Sequence, residues 1–302
     1  MFIDNLLKFK ETGESKFDSD KTTPTAVVKE LLPKQFEVNK KSYKKFTNLI
    51  DLLNFYVNKT VPNLNTKVML QSYVRKLVKD TYSADSKHYL YLKDGFSMTL
   101  EEKKTRQSDA QDKVVSSNEN QIEITVAQLK LFTDKLVQPK FKIIHSIILA
   151  QIACGGRLIE ILSSEFEFLE SKKDAYIIQN NVAKNKTDAE RPVDKPILFI
   201  TNTEFLSLIC LIRSKLTVKP DDDNIKLSNR YGKRVNALVV KIATECGMPP
   251  EITSSHDLRK IYANFSYILY AKKNQSLQIW LKSVLGHSDL NSSFNYSTIK
   301  II

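Results

Sequence analysis

Residues 143–154, IIHSIILAQIAC, form the most apolar stretch of this 302-residue chain, and Gly155 and Gly156 come directly after it. The polar residues His145, Ser146 and Gln151 leave no broad polar face, so a helix here has to be covered all round rather than lie on a surface. A bilayer span takes roughly 18–20 residues. The segment is therefore predicted as a buried core helix.

Around it the pattern is helical. Phe46, Leu49, Ile50 and Leu53 recur at i, i+3, i+4, i+7, as do Leu70, Tyr73, Val74 and Leu77, with Pro62 between the two runs. This predicts a small helical bundle over 21–100, after an N-terminal tail over 1–20. Residues 101–121 are polar and charged, with Val114 and Val115 the strongly apolar exceptions, and read as an interdomain linker. A second domain is expected over 122–302. Thr125 and Gln128 form a capping box for its first helix. Strand-like runs at 175–179 and 195–200 flank a polar excursion, which predicts a hairpin with a long tip. Helices return at Val235, Leu238, Val239 and Ile242, and again at Leu258, Ile261, Tyr262, Phe265, Ile268 and Leu269. The fold class expected is mainly α with a small β-sheet or hairpin.

Lys and Arg number 46 against 34 Asp and Glu, a net charge of +12, which favours an anionic partner. Between 21 and 80 the balance is twelve basic to four acidic residues. Lys40, Lys41, Lys44, Lys45, Arg75, Lys76 and Lys79 cluster beside Tyr43 and Tyr73, which suits phosphate-backbone contact from helix faces; a solvated lysine-rich surface is the alternative. Cys154, Cys210 and Cys246 are odd in number and have no metal-ligand spacing, so neither a disulfide framework nor a zinc site is expected. Asp4, Lys8 and Lys10 interrupt any signal-peptide core. The chain is expected in the cytoplasm or nucleus, off the membrane and not secreted.

Nucleotide-loop, dinucleotide, zinc-protease and α/β-hydrolase motifs are absent. Instead Arg157 directly follows the Gly-Gly that ends the apolar helix. His256 and Arg259 stand at i and i+3 after a Ser254 or Ser255 cap, His287 follows Gly286, and Tyr296 lies nine residues further on. Each alone has an ordinary structural reading.

Together, CGGRLIEIL, SHDLRKIYA and VLGHSDLNSSFNYS, with a hairpin lysine between the first two, resemble the tyrosine recombinase family in order along the chain. The resemblance covers about 124–296. It implies a catalytic domain preceded by a helical core-binding domain, the two closing around double-stranded DNA as a homodimer or homotetramer. It also implies roles. Tyr296 attacks the phosphodiester and carries a 3′-phosphotyrosyl link; Arg157 and Arg259 stabilise the phosphorane charge without a metal. Lys184, with Lys186 as the competing candidate in NNVAKNK, protonates the leaving 5′-oxygen. His256 acts as acid or base near the nucleophile, and His287 hydrogen-bonds a non-bridging oxygen. No ATP or other cofactor is implied, because the ester conserves the bond energy.

Two departures bear on the branch. The 28-residue interval from Arg259 to His287 is longer than in common integrases, with 270–275 as the extra loop, and together with HDLRKIYA it looks like the hairpin telomere resolvases. Six residues follow Tyr296, too few for the helix many integrases donate in trans, so the expectation is either that protomers are held together otherwise or that the chain is cut short. A site-specific recombinase or integrase is the first expectation and a telomere resolvase the alternative. A type IB topoisomerase ranks lower on spacing. A DNA-binding protein on the same scaffold that no longer cleaves is the reading from a different class.

Overall fold

The computed structural model describes residues 2–13, 23–39, 42–137, 140–183, 192–217, 222–286 and 296–302. It is mainly helical and forms two units, Met1–Asp112 and Lys113–Ile302.

The first unit holds α1 (Phe2–Thr12), α2 (Pro24–Asn39), α3 (Tyr43–Thr60), α4 (Leu64–Tyr82), α5 (Lys87–Gly95) and the start of α6 (Leu100–Glu119). Its core joins Leu32 and Phe36 of α2, Phe46, Leu49 and Leu53 of α3, and Leu70, Val74 and Val78 of α4. The caps are local: Ser42 accepts from Lys45 N–H at the start of α3, and Asn63 from Asn65 and Thr66 at the start of α4.

Two expectations change here. The N-terminal stretch is not simply a tail, because Ile3, Leu6 and Phe9 repeat on one side of α1. Leu6 is buried, and Phe9 meets the Tyr56 ring edge-on at 5.1 Å. The expected linker is mostly α6. Its Glu, Lys, Gln and Arg are strong helix formers whatever their polarity. Thr99 and Glu102 cap it reciprocally, at 2.9 and 3.1 Å, and Glu102 also pairs with Lys67. Polarity is a poor guide where propensity and capping agree on a helix.

In the second unit α8 (Ile143–Cys154) is the central helix, buried from Ile147 to Cys154. Its cover comes from α7 (Val126–Leu136), α9 (Leu158–Leu162), α10 (Asn202–Lys215), α11 (Asn224–Glu245) and α12 (Ser255–Tyr270), with α13 (Leu277–Leu285) packed on α12. The Thr125–Gln128 capping box opens α7.

A three-stranded antiparallel sheet runs β2 (Glu167–Glu170), β3 (Tyr176–Asn180), β4 (Val193–Pro196), with Ile177 opposite Lys195 and Gln179 opposite Val193. The expected hairpin is thus the β3–β4 pair with β2 added, and β4 stops at Pro196 instead of continuing to 200. A second sheet pairs β1 (Ile122–Ile124) in parallel with β5 (Ile299–Ile301). The few residues after Tyr296 therefore form a strand held within the chain, with Ile299 and Ile301 buried.

Among the described residues no helix is long and apolar enough to cross a membrane.

Candidate active site

The first arginine is positioned by a helix end. Gly155 caps α8 at φ +62°, a left-handed conformation, and a Cβ there would lie 2.1 Å from the Tyr262 ring, so both backbone and space require glycine. The chain turns, and Arg157 becomes the N-cap of α9.

Glu160 is fully buried and ties three segments of the chain together. Its carboxylate accepts from Arg157 N–H at 2.8 Å, from Arg157 Nη1 at 2.7 Å and from Ala183 N–H at 3.0 Å, and lies 3.8 Å from Arg259 Nη1. Burial alone raises the Glu160 carboxyl, but the charges of Lys195, Arg259 and Arg157 overcome it and hold it at about 2.

The second arginine comes from α12. Ser254 and Asp257 cap that helix reciprocally, Ser254 N–H donating to Asp257 at 3.0 Å, while Ser255 N–H donates to Asn236 at 3.0 Å. One turn on, Arg259 is 1% exposed. Its Nη1 donates to the Gly155 carbonyl, Nη2 to the Leu285 carbonyl at 2.8 Å, and Nε to the Tyr296 hydroxyl at 3.2 Å. Tyr296 is itself buried, and Asn264 donates to its carbonyl at 2.7 Å.

His256 stands on the same helix with its ring centroid 5.5 Å from that of Tyr296. Its pKa is held below the usual histidine value, first by desolvation and then by the positive charges of Lys260 and Arg259.

The fold thus brings Arg157, His256, Arg259 and Tyr296 together from three separate stretches of sequence. Lys184, Lys186 and His287 lie outside the described residues. Their flanks are placed: Ala183 is tied to Glu160, and Gly286 ends α13 at φ +66° beside Val182 and Val193. Of the basic cluster, Lys44, Lys45, Lys76 and Lys79 are exposed, whereas Lys40 and Lys41 lie outside the described residues. Arg75 differs from its neighbours: it is half-buried and donates to the Phe96 carbonyl at 3.1 Å. Sequence reasoning misses Glu160 and Lys195. Each carries a signal, a lone charge beside or inside the apolar runs RLIEIL and KPILF, but such a charge ordinarily lies on the surface.

The family described as telomere resolvase ResT/TelK catalytic domain matches residues 120–298. The chain belongs to that telomere resolvase family. The expectation that put integrases first is corrected by this match, which covers all three motifs and favours the alternative.

Telomere resolvase ResT of Borreliella burgdorferi is 27% identical over 161 residues, 48% of this chain and 32% of that protein. The chain thus matches about a third of the length of this curated relative. The likeness in fold to solved protelomerases covers both units. The chain superposes on a tyrosine-to-alanine mutant of protelomerase TelA covalently complexed with substrate DNA with a TM-score of 0.75 and 16% identity, covering 99% of this chain and 95% of that one. For an arginine-to-alanine mutant of TelA complexed with DNA hairpin product the TM-score is 0.76, with 16% identity over 98% and 94% of the two chains. For protelomerase TelK complexed with substrate DNA it is 0.54, with 16% identity over 92% and 59%.

Proposed function

We propose that this chain cleaves double-stranded DNA through Tyr296 and reseals the ends as closed hairpins. The observation that carries the reading is the Arg259–Tyr296 contact, joined through Glu160 to Arg157: a nucleophile candidate and two guanidiniums in one cluster. Family membership supports hairpin resealing over strand exchange.

In the first step the Tyr296 oxygen bonds to the scissile phosphorus while the bond from phosphorus to the 5′-oxygen breaks. The tyrosine proton passes to His256 or solvent, and Lys184 gives a proton to the departing 5′-oxygen. Arg157 and Arg259 take up the extra charge on the non-bridging oxygens in a site shielded from water. In the second step a 5′-hydroxyl attacks the phosphotyrosyl ester and releases Tyr296. Attack by the hydroxyl of the same duplex end closes a hairpin, and two copies on an inverted repeat would close both ends. No ATP is needed, since one ester replaces another. Exposed lysines of α3 and α4 would contact phosphates in the same complex.

The test is incubation with linear inverted-repeat DNA without ATP or added metal. The expected products are an SDS-resistant protein–DNA adduct and ends that snap back after denaturation. Adduct with only exchanged, open strands supports a recombinase instead; DNA binding without any adduct supports the non-cleaving scaffold.

A further inference from the structure

Lys195 on β4 is fully buried, and its Nζ has no hydrogen-bond partner among the described residues. A lysine amine in that state is costly, and residues that keep one usually have a use for it. Its surroundings are specific. On β4 it shares a sheet face with Val193, which lies against Gly286, and across the strand with Ile177 and Gln179. The Gln179 Oε1 on that face also lacks a partner among the described residues. Immediately after Lys195, the Pro196 carbonyl accepts from Tyr262 of α12 at 2.9 Å, and Leu198 N–H donates to Ala153 of α8 at 3.0 Å. The strand is therefore fixed between the helices that carry Arg259 and lead into Arg157.

The charged and titratable groups acting on the amine are Glu160 of α9, Arg259 of α12, Cys154 of α8 and Arg157. Without Lys195, the Glu160 carboxylate offsets one of the two arginine charges. With a buried ammonium acting on it through charge, Glu160 is balanced by a group that cannot reach solvent, and the arginines keep their full charge for an incoming phosphate. The coupling is reciprocal: a phosphate that gains from the protonated amine also favours its protonation.

We propose that Lys195 is a positioning residue of the reaction centre, whose ammonium balances Glu160 and which takes up a proton as the scissile phosphate docks. The inference rests on the function proposed above. Burial first, then Arg259 and Arg157, pull the amine down to about 8 in the DNA-free protein, with Glu160 and Cys154 opposing. The amine is thus poised to change charge near neutral pH.

The experiment compares wild type, Lys195→Met and Lys195→Arg on the inverted-repeat duplex between pH 6.5 and 9.5. It reads the second-order rate of adduct formation at limiting protein. Wild type should lose up to about tenfold per pH unit once above the lysine's pKa. Lys195→Met should be slower by about tenfold or more at pH 7 and lack this loss. Lys195→Arg, charged throughout, should hold its rate to pH 9. Calorimetry of DNA binding at pH 8.5 in two buffers of different ionisation enthalpy should show proton uptake by wild type and less by Lys195→Arg.

A methionine variant with the wild-type rate and pH profile overturns the role. If that variant does not fold, absence of proton uptake by wild type overturns it equally. Wild type that forms no adduct at any pH refutes the proposed function instead, so the two failures are distinct.

Discussion

Arg259 donates from Nε to the Tyr296 hydroxyl at 3.2 Å while its two terminal nitrogens hold the carbonyls of Gly155 and Leu285. The guanidinium is thus fixed by the end of α8, the end of α13 and the candidate nucleophile. Three donors in one plane match this geometry, which no other side chain can supply.

Tyr296→Phe removes the oxygen and little else from a residue already buried. DNA affinity should stay within a few-fold of wild type while the SDS-resistant adduct disappears. An adduct formed by the phenylalanine variant would reassign the nucleophile. Tyr262 is a poor substitute, because it is fully buried and its hydroxyl is committed to the Pro196 carbonyl.

Arg259→Lys should fare little better than Arg259→Ala. An ammonium has three donors on one nitrogen, which cannot reach acceptors spaced around the three nitrogens of a guanidinium, and each buried carbonyl left bare costs about 1–3 kcal/mol. Adduct formation should fall by about 10²–10³ in both variants, and urea midpoints should drop. A lysine variant with near wild-type rate would show that the planar fork is unimportant.

Much of this arrangement is legible in the sequence, for reasons that differ by element. The strongly apolar run of α8 and the Thr125–Gln128 box are local signals, and both stand as read. The three motifs are legible through order and spacing, which survive where overall identity is low. Glu160 escapes because its meaning is tertiary: only the fold brings Ala183 and Arg259 to a residue that otherwise reads as a helix-start acid. Lys195 escapes because a strand of four residues shows too little alternation to mark its inward face. Parallel pairing of β5 with β1 joins residues nearly the whole second unit apart, and no local pattern reports it.

Gly155→Ala should destabilise the protein by about 2–5 kcal/mol. The left-handed backbone costs an alanine roughly 1–2 kcal/mol, and a methyl forced against the Tyr262 ring adds roughly 1–3 kcal/mol of overpacking. Since the Gly155 carbonyl also holds Arg259, the rate should fall even at temperatures where the variant is folded. Denaturant melts and adduct assays on the same preparation check both; an alanine variant of wild-type stability would contradict the close approach.

Replacing Lys44, Lys45, Lys76 and Lys79 with alanine should weaken DNA binding and flatten its salt dependence. Each lost phosphate contact removes about 0.9 from the slope of log K against log salt. All four side chains are exposed, so folding should be unaffected. Identical slopes for variant and wild type would mean that these lysines only face solvent.

The general acid can be separated from the charge-stabilising groups by changing the leaving group. If Lys184 protonates the departing 5′-oxygen, Lys184→Ala should slow cleavage of ordinary DNA by about 10²–10⁴-fold. Sulfur in place of that bridging oxygen leaves without needing a proton, so Lys184→Ala should cleave the sulfur substrate at close to the wild-type rate. Arg157→Ala should remain slow on both substrates, because it removes charge stabilisation at the non-bridging oxygens, which sulfur does not repair. The Ala183 N–H bond to Glu160 anchors the residue before Lys184 to the arginine cluster. Rescue by sulfur in Lys186→Ala, together with normal cleavage by Lys184→Ala, would move the assignment two residues along the chain.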